Sequence, residues 1–423
     1  MTINFILMER IIATYLIETP YAVEQAAAVL AGEQSSGTFV SVPGETAELK
    51  NRFAARVEQI ELLEELTKPS LPGEIIDNKV YKRAKVTVSW SIENFGYNIP
   101  TLISTLQGNL YELRQFTGLK LDDFELPASY GNYFKGPQFG MKGTKSLANV
   151  GPDRPMIGTI IKPSVGLTPE YTANLVQTLA EAGIDFIKDD ELLASSANSH
   201  FAVRVEQIMR VINDFADKTG KKIMYAFNIT GDLETMKSNY ETVVKAGGTC
   251  AMMSINSVGW SGVKQVCDWG ELSIHGHRNG WGMLNRHPLL GINFPAYNKI
   301  WRLAGVDQMH VNGIKNKFWE SDDSVVRSIQ SCHTPFLNNE SVIPVVSSGQ
   351  WGGQAFETYK RTQTTDLLYM AGGGIMAHPS GPAGGVRALH QAWGAAVEGL
   401  SFEDARRQYK EFGESVVKFG NQD

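Results

Sequence analysis

The sequence is short of cysteine, of long apolar runs and of excess positive charge. Its three cysteines (Cys250, Cys267 and Cys332) are an odd number at wide spacing, with no CxxC pair to indicate zinc or redox chemistry. No apolar run reaches the roughly 18 to 20 residues of a membrane span. The amino-terminal stretch is broken by Glu9 and Arg10 and lacks the small-residue cleavage site of a signal peptide. We therefore expect a cytoplasmic protein with no membrane partner.

The charge balance excludes another class of partner. With 39 Lys and Arg against 45 Asp and Glu, the net charge is −6, so no basic field favours nucleic acid. A small anionic substrate would then need local positive groups. The 423 residues, 43% of them hydrophobic and 20% charged, form an ordinary globular composition that is long enough for a barrel and a second domain.

A repeated pattern begins near residue 154. Each repeat has a short β-branched run, a polar or glycine-rich exit and an amphipathic segment of helix length. The eight runs are 156–163, 183–191, 221–230, 250–259, 271–278, 305–313, 342–349 and 366–374. Strand followed by helix eight times, over about 250 residues, predicts an α/β fold with a (β/α)8 TIM barrel.

The amino-terminal third has a different pattern, with strand-like runs, helix-like stretches and turns in mixed order. It predicts a smaller α+β domain of about four strands. We place this domain at residues 1–138 and the barrel domain, with its carboxyl-terminal helices, at residues 139–423.

The hexapeptide FIKDDE, residues 186–191, ends the second barrel strand in four charges. Alternation along a strand places Lys188 and Asp190 on one face and Asp189 on the other, with Glu191 at the rim. Two carboxylates so close together suit Mg²⁺, which prefers oxygen ligands. The ammonium of Lys188 would repel that ion, unless CO2 converts it into an anionic carbamate. The alternative is a salt-bridge network that closes the barrel mouth.

Other strand ends carry groups that suit a phosphate or an enediolate. Lys162 follows the first strand and can act as a proton carrier or as a plain rim lysine. Three cationic or imidazole groups follow strands five and six, where the alternative is hydrogen-bonded scaffolding: His277, Arg278 and His310. Serine and glycine follow strands seven and eight, where barrels often bind phosphate, although tight turns use the same residues.

In this order and spacing, the segments GTIIKP, DFIKDDE, HGHRNG, HVNG, PVVSSG and AGGG resemble the large subunit of ribulose-bisphosphate carboxylase/oxygenase over nearly the whole chain. The resemblance implies Mg²⁺ held by a carbamylated Lys188 with Asp190 and Glu191. It implies proton handling by Lys162 and a catalytic role for His277.

The same resemblance implies further roles. One phosphate site would comprise Arg278, His310 and Ser347, and the other Thr38, Gly349, Gly372 and Gly373. Glu33 and Asn109 match residues that enter the neighbouring subunit's site, which implies an obligate homodimer or a larger assembly built from it. Lys317 matches the CO2-orienting lysine of a mobile loop, at 315–323 in this chain.

Several positions depart from the carboxylase pattern. Ser164 replaces the second lysine after strand one, Phe39 replaces a tryptophan, Trp281 replaces a histidine, and the loop after Lys317 reads FWES. These changes argue against carboxylation of ribulose 1,5-bisphosphate. They indicate a RuBisCO-like protein of form IV.

Form IV proteins form an enolate from a phosphorylated keto compound. Retention of Lys162, Glu33 and Lys317, which a carboxylase uses around CO2, favours a decarboxylase of a 3-oxo sugar-acid phosphate of the 3-oxo-isoapionate 4-phosphate type. The alternative is a methionine-salvage enolase or isomerase acting on a diketo-methylthiopentyl or methylthioribulose phosphate. Four aromatic residues can supply its apolar pocket: Phe39, Trp281, Phe318 and Trp319.

Two further readings are weaker. A non-enzymatic scaffold has no need of buried charges that are costly to desolvate. A magnesium barrel of the enolase type would draw its ligands from three successive strands, whereas here they lie in one hexapeptide.

Overall fold

The structure is a computed structural model that describes residues 9–36, 42–74, 76, 80–193 and 195–420. The chain forms two compact units. The first comprises Met1–Lys135 and Gly280–Trp301, and the second comprises Gly136–Asn279 and Arg302–Asp423.

The strands and helices alternate along most of the chain. The strands are β1 Arg10–Thr19, β2 Arg56–Leu66, β3 Tyr81–Ser91, β4 Gly118–Glu125, β5 Met156–Ile160, β6 Phe186–Lys188, β7 Met224–Asn228, β8 Cys250–Ser254, β9 Ser273–His277, β10 Leu290–Ile292, β11 Gln308–Asn312, β12 Ile343–Ser347 and β13 Leu368–Met370. The helices are α1 Val23–Glu33, α2 Ala47–Phe53, α3 Ile99–Leu106, α4 Gly140–Leu147, α5 Pro169–Glu181, α6 Phe201–Thr219, α7 Leu233–Lys245, α8 Ile255–Val258, α9 Trp260–Trp269, α10 Trp281–Asn285, α11 Phe294–Ala304, α12 Asp322–His333, α13 Gly353–Thr362, α14 Gly373–Met376, α15 Gly381–Val397, α16 Phe402–Gln408 and α17 Lys410–Phe419.

The first unit contains a five-stranded sheet in the order β10-β4-β1-β3-β2. Alternate residues of β1 are fully buried, as expected for a strand with one face on a core. One of them, Tyr15, donates a 2.7 Å hydrogen bond to the carbonyl of Leu106 in α3. The prediction of an amino-terminal α+β domain is confirmed. Strand β10, which pairs in parallel with β4, comes from beyond the predicted four-strand segment.

The second unit contains a closed barrel of eight parallel strands, in the order β11-β12-β13-β5-β6-β7-β8-β9. Each of the eight predicted runs contains one of these strands, so the prediction of a (β/α)8 barrel is confirmed. Buried apolar side chains at the first residue of six strands fill the amino-terminal end of the barrel: Met156, Phe186, Met224, Cys250, Ile343 and Leu368. The polar strand ends therefore lie together at the opposite mouth.

Local signals explain where the barrel helices begin and end. Thr168 caps α5 by accepting a hydrogen bond from the amide of Tyr171, and Ser321 caps α12 in the same way from Ser324. Gly220 ends α6 in the left-handed conformation, with φ of 74°. Of the described helices, none is long and apolar enough to cross a membrane.

Asp185 fastens the amino-terminal ends of three neighbouring barrel strands. Its fully buried carboxylate accepts hydrogen bonds from Arg154 at 2.6 and 2.8 Å, from Lys221 at 2.7 Å and from the Ile157 amide at 2.9 Å. Burial alone would raise the pKa of Asp185. The ion pairs with Arg154 and Lys221 outweigh it and lower the pKa below its ordinary value.

We predict that Asp185→Ala lowers the free energy of unfolding by about 3 kcal/mol at pH 7, because it leaves Arg154 and Lys221 without their shared partner. A folded-state pKa below the unfolded value of about 3.9 gives stability that is present above that pH and lost as pH falls through the folded value. Urea unfolding at pH 7 and at the lowest pH that keeps the wild type folded measures both effects. Asp217→Ala, at an exposed position of α6, is the control. A loss that is the same at both pH values would contradict the ionic origin.

Candidate active site

Lys188 is the buried centre of the barrel mouth. It is the last residue of β6, its side chain is 1% exposed, and its Nζ donates to the carbonyl of Asp189 at 2.9 Å. The same Nζ lies 3.4 Å from Oε2 of Glu191. Burial lowers the pKa of Lys188, against the opposing effect of the carboxylates of Glu191 and Asp190.

Asp190 and Lys162 form the second contact of this mouth. Nζ of Lys162 lies 2.5 Å from Oδ2 of Asp190 and 2.9 Å from Oγ of Ser164. Burial opposes ionisation of Asp190, but the hydrogen bonds from Lys162 and from the Leu192 amide outweigh it, so the pKa of Asp190 is lowered. The ammonium of Lys162 and the ionised carboxylate of Asp190 therefore stabilise each other.

His277 approaches the same cluster from the end of β9. Its Nε2 lies 3.4 Å from Oε2 of Glu191. Burial, with the nearby charge of Lys188, lowers the pKa of His277 to about 3. The imidazole is therefore neutral at pH 7 and can exchange hydrogen bonds with a substrate without adding charge.

Asp189, which lies between Lys188 and Asp190 in the sequence, is hydrogen-bonded to other residues of the protein. Its carboxylate is fully buried and accepts hydrogen bonds from the Tyr225 hydroxyl at 2.7 Å, from the Asn228 amide at 2.9 Å and from Arg204 at 3.3 Å. Its partners lie on β7 and α6. Asp189 and Asp190 therefore have different partners, as expected from the sequence, although both follow the end of β6.

The residues at this mouth fit a hard divalent cation. Across the described part of the chain, no three His, Cys, Asp or Glu side chains come together as a metal-binding group. An ion held by Asp190 and Glu191 therefore needs a third donor, and Lys188 is the adjoining side chain. A lowered amine pKa increases the neutral form, which is the form that reacts with CO2 to give a carbamate. With that carbamate, the three residues supply the all-oxygen ligand set that Mg²⁺ prefers.

One of the two sequence-predicted phosphate sites includes His310, Ser347 and Arg278. Nδ1 of His310 lies 3.1 Å from Oγ of Ser347. The ring centroid of His310 is 4.5 Å from that of His277. Burial and the neighbouring histidines lower the pKa of His310 well below its ordinary value, so this ring is also neutral.

Arg278 is paired within the protein. Its Nη2 lies 3.1 Å from Oε2 of Glu320, which also accepts a 2.6 Å hydrogen bond from the Asn312 amide group. The hydroxyl of Ser324 donates to Oε1 of Glu320 at 2.7 Å. Neither Glu320 nor Asn312 was predicted from the sequence. Glu320 is a single acidic residue in FWES, and nothing in the spacing indicates its partner 42 residues earlier.

The other sequence-predicted phosphate site is formed by bare backbone. Gly349 has a φ of 79°, and Ser348 before it has a φ of 76°, an unfavourable value for a serine. A Cβ added to Gly372 would lie 3.8 Å from Cε of Lys162, and one added to Gly373 would meet nothing within 4 Å. The structure thus brings Gly372 next to Lys162 and leaves open space at Gly373.

The loop before α12 carries Lys317. This residue is exposed, its Nζ lies 5.3 Å from the centroid of the Phe318 ring, and its amide donates to the carbonyl of Ser348 at 3.3 Å. Phe318 and Trp319 are exposed as well. The backbone of Lys317 therefore adjoins the segment that holds Gly349.

The remaining predicted residues belong to the first unit. Glu33 is the exposed last residue of α1, and Asn109 is exposed in the 3₁₀ turn Gly108–Glu112. Thr38 and Phe39 lie outside the described residues. Trp281 packs against Tyr297, with ring centroids 4.6 Å apart.

Comparison with known proteins gives matches over nearly the whole chain. The model of the ribulose bisphosphate carboxylase large chain, catalytic domain, matches residues 141–419, and that of the amino-terminal domain matches residues 7–130. A protein of Xanthobacter autotrophicus named 3-oxo-isoapionate-4-phosphate transcarboxylase/hydrolase is 51% identical, over 94% of this chain and 96% of its own. The 3-oxo-isoapionate-4-phosphate decarboxylase of Rhizobium rhizogenes is 46% identical, over 96% and 98%.

Solved structures show the same relationship. A rubisco-like protein from Burkholderia fungorum is 42% identical with a TM-score of 0.90, covering 97% of this chain and 100% of its own. The octameric carboxylase of Pyrococcus horikoshii is 30% identical with a TM-score of 0.87, covering 98% and 95%.

We predict that the two neighbouring aspartates differ in their contribution to stability. Asp189→Asn is expected to lower the free energy of unfolding by about 3 kcal/mol, because it breaks a buried pair with Arg204. Asp190→Asn is expected to change it by less than about 1 kcal/mol, because its partner Lys162 stays solvated when unpaired. Urea unfolding of the two isosteric variants checks this, and equal losses would contradict the division of roles.

Proposed function

Because the chain belongs to the ribulose bisphosphate carboxylase large-chain family, we propose that it is a magnesium-dependent decarboxylase of a phosphorylated 3-oxo sugar acid, of the 3-oxo-isoapionate 4-phosphate type. The observation that carries the proposal is the contact of Lys162 with Asp190, beside Glu191 and the buried Lys188. A proton-carrying lysine next to a cation site suits the loss of CO2 from a β-keto acid. The 46% identity to a decarboxylase supports the substrate class.

Lys188 as a carbamate, with Asp190 and Glu191, would hold the ion. When bound, Mg²⁺ would supply the positive charge that polarises a keto group. Without the carbamate, the site would place an amine where an oxygen donor is required. Carbamylation of Lys188 is therefore part of the proposal.

Lys162 supplies the proton that completes the reaction. When the bond from the α-carbon to the carboxylate breaks, its electron pair forms a double bond between the α-carbon and the 3-oxo carbon, the carbonyl π pair moves to the oxygen, and CO2 leaves. The α-carbon must then receive a proton, and the ammonium of Lys162, held by Asp190 and Ser164, is the donor. The neutral His277 beside Glu191 can hold a substrate hydroxyl near this carbon.

The reaction is proposed to take place in a homodimer. Glu33 and Asn109 are exposed on the first unit, as expected of residues that reach into a neighbouring subunit's site, and a solved member of the family is an octamer. Lys317, on the loop at 315–323, is proposed to orient the departing carboxylate. The three cysteines form no disulfide with one another, which suits a cytoplasmic location.

A second candidate shares the first step. The relative with 51% identity is named 3-oxo-isoapionate-4-phosphate transcarboxylase/hydrolase. We therefore propose, as the second candidate, that the carboxyl group of the substrate is transferred and retained in an acid product instead of being released as CO2. The methionine-salvage alternative has less support. It uses Trp281 for the apolar pocket, but this side chain is buried and packs against Tyr297. Phe318 and Trp319 remain available for an apolar pocket.

The activity is tested with 3-oxo-isoapionate 4-phosphate labelled with ¹³C in its carboxyl group, in the presence of Mg²⁺ and bicarbonate. We expect the label to appear as CO2, and Lys188→Ala to lower kcat/KM by at least about 10³-fold because the ion loses a ligand. Lys245→Ala, an exposed lysine of α7, is the control. Label retained in an acid product would establish the second candidate. Turnover of a methylthio substrate alone would refute both.

Carbamylation is tested separately by ¹³C NMR with labelled bicarbonate. We expect one carbamate carbon in the wild type and in Lys162→Ala, and none in Lys188→Ala, because burial lowers the pKa of Lys188 and increases its reactive neutral form. A carbamate signal that persists in Lys188→Ala would show that Lys188 is not the modified residue.

A further inference from the structure

The carboxylate of Glu320 is built into the Arg278 end of the barrel mouth. Its side chain is 1% exposed, and three side chains donate to it: Arg278 at 3.1 Å, Asn312 at 2.6 Å and Ser324 at 2.7 Å. Asn312 is held in turn by the hydroxyl of Ser348, which donates to Oδ1 at 2.8 Å. The carboxylate is therefore an anion that this site already contains.

This internal anion changes what the Arg278 end can bind. The charges of Arg278 and Glu320 cancel, and His310 is neutral, so the end is polar without net charge. A phosphate that approached Arg278 would also approach the buried carboxylate of Glu320, and the two anions would repel each other.

The same end offers hydrogen bonds to an uncharged group. Nε2 of His310 is buried and makes no hydrogen bond within the described residues, while its Nδ1 is 3.1 Å from Ser347. A buried polar atom of this kind is normally satisfied. A substrate hydroxyl can satisfy it as donor or acceptor, whichever tautomer the ring adopts.

The part of the mouth formed by Gly349, Gly372 and Gly373 has the features of an anion site. Gly373 opens on free space, and Gly372 lies beside the side chain of Lys162. The backbone of Lys317 adjoins Gly349. Amide groups and two lysines are close to this end. Lys162 is paired there with Asp190, while the exposed Lys317 has its Cβ 3.5 Å from the position of a Cβ added to Gly349.

We propose that Glu320 is a specificity-determining residue that reserves the Arg278 end for an uncharged, hydroxyl-bearing end of the substrate. The single phosphate then binds at Gly349, Gly372 and Gly373, and sugar bisphosphates are disfavoured. The inference rests on the proposed function in one respect, that both ends belong to one phosphorylated substrate.

Binding of two probes that differ by one phosphate tests the proposal. Isothermal titration with ribulose 5-phosphate and with ribulose 1,5-bisphosphate, in Mg²⁺ and bicarbonate, is carried out on the wild type and on Glu320→Gln. We expect the wild type to bind the monophosphate more tightly. We expect Glu320→Gln to raise the affinity for the bisphosphate about tenfold and to change that for the monophosphate less than about threefold, because only the second phosphate meets the lost charge.

Glu340→Gln is the matched control, since Glu340 is also paired with a buried arginine, Arg302, at 3.2 Å. It should leave the ratio of the two affinities unchanged. Tighter binding of the bisphosphate by the wild type, no binding of the monophosphate, or an unchanged ratio in folded Glu320→Gln would each overturn the proposal. If Glu320→Gln does not fold, the wild-type comparison decides alone.

Neither probe is a β-keto acid, so the result does not depend on CO2 release. A working decarboxylase that prefers the bisphosphate would overturn this inference and leave the proposed function intact. A protein that binds the two probes as expected but releases no CO2 would overturn the proposed function and leave this inference intact.

Discussion

The burial of Lys188 among carboxylates is the constraint on which the rest of the barrel mouth depends. A buried amine is costly to keep charged, and the three acidic residues that follow it are costly to bring together without a cation. The fold gives each of the three carboxylates a different set of partners. Asp189 turns towards Arg204 and Tyr225, Asp190 towards Lys162, and Glu191 stays close to both Lys188 and His277.

The strand ends could be predicted from the sequence because a closed parallel barrel brings them together whatever their separation along the chain. Lys162 and Asp190 are 28 residues apart, yet their strands are neighbours, and their contact follows from the order β5-β6. Asp189 and Asp190 lie just beyond the three-residue strand β6, and they still take different partners, Arg204 and Lys162. The periodic pattern of the barrel strands carries this information, and it is unaffected by the helices between them.

The structure also contains features that neither the helical nor the strand periodicity of the sequence indicates. Glu320 lies in an irregular loop, where neither helical nor strand spacing relates a residue to its partner, and its pairing with Arg278 depends on the path of that loop. Strand β10 is only three residues long, which is too short for an alternation of apolar and polar residues to identify it as a strand. Such features are fixed by tertiary contacts, so Arg278 could be predicted from the sequence as an anion ligand, whereas the internal anion that it holds could not.

The pairing of β10 with β4 also bears on the order in which the chain can be assembled during synthesis. The first sheet begins near residue 10, but its last strand, Leu290–Ile292, emerges from the ribosome only after five of the eight barrel strands have been made. Until then one edge of β4 lacks its partner, and an open edge invites pairing with other chains. The amino-terminal unit thus cannot finish folding first, although domains commonly fold in order of synthesis. Its completion awaits a segment encoded in the middle of the barrel.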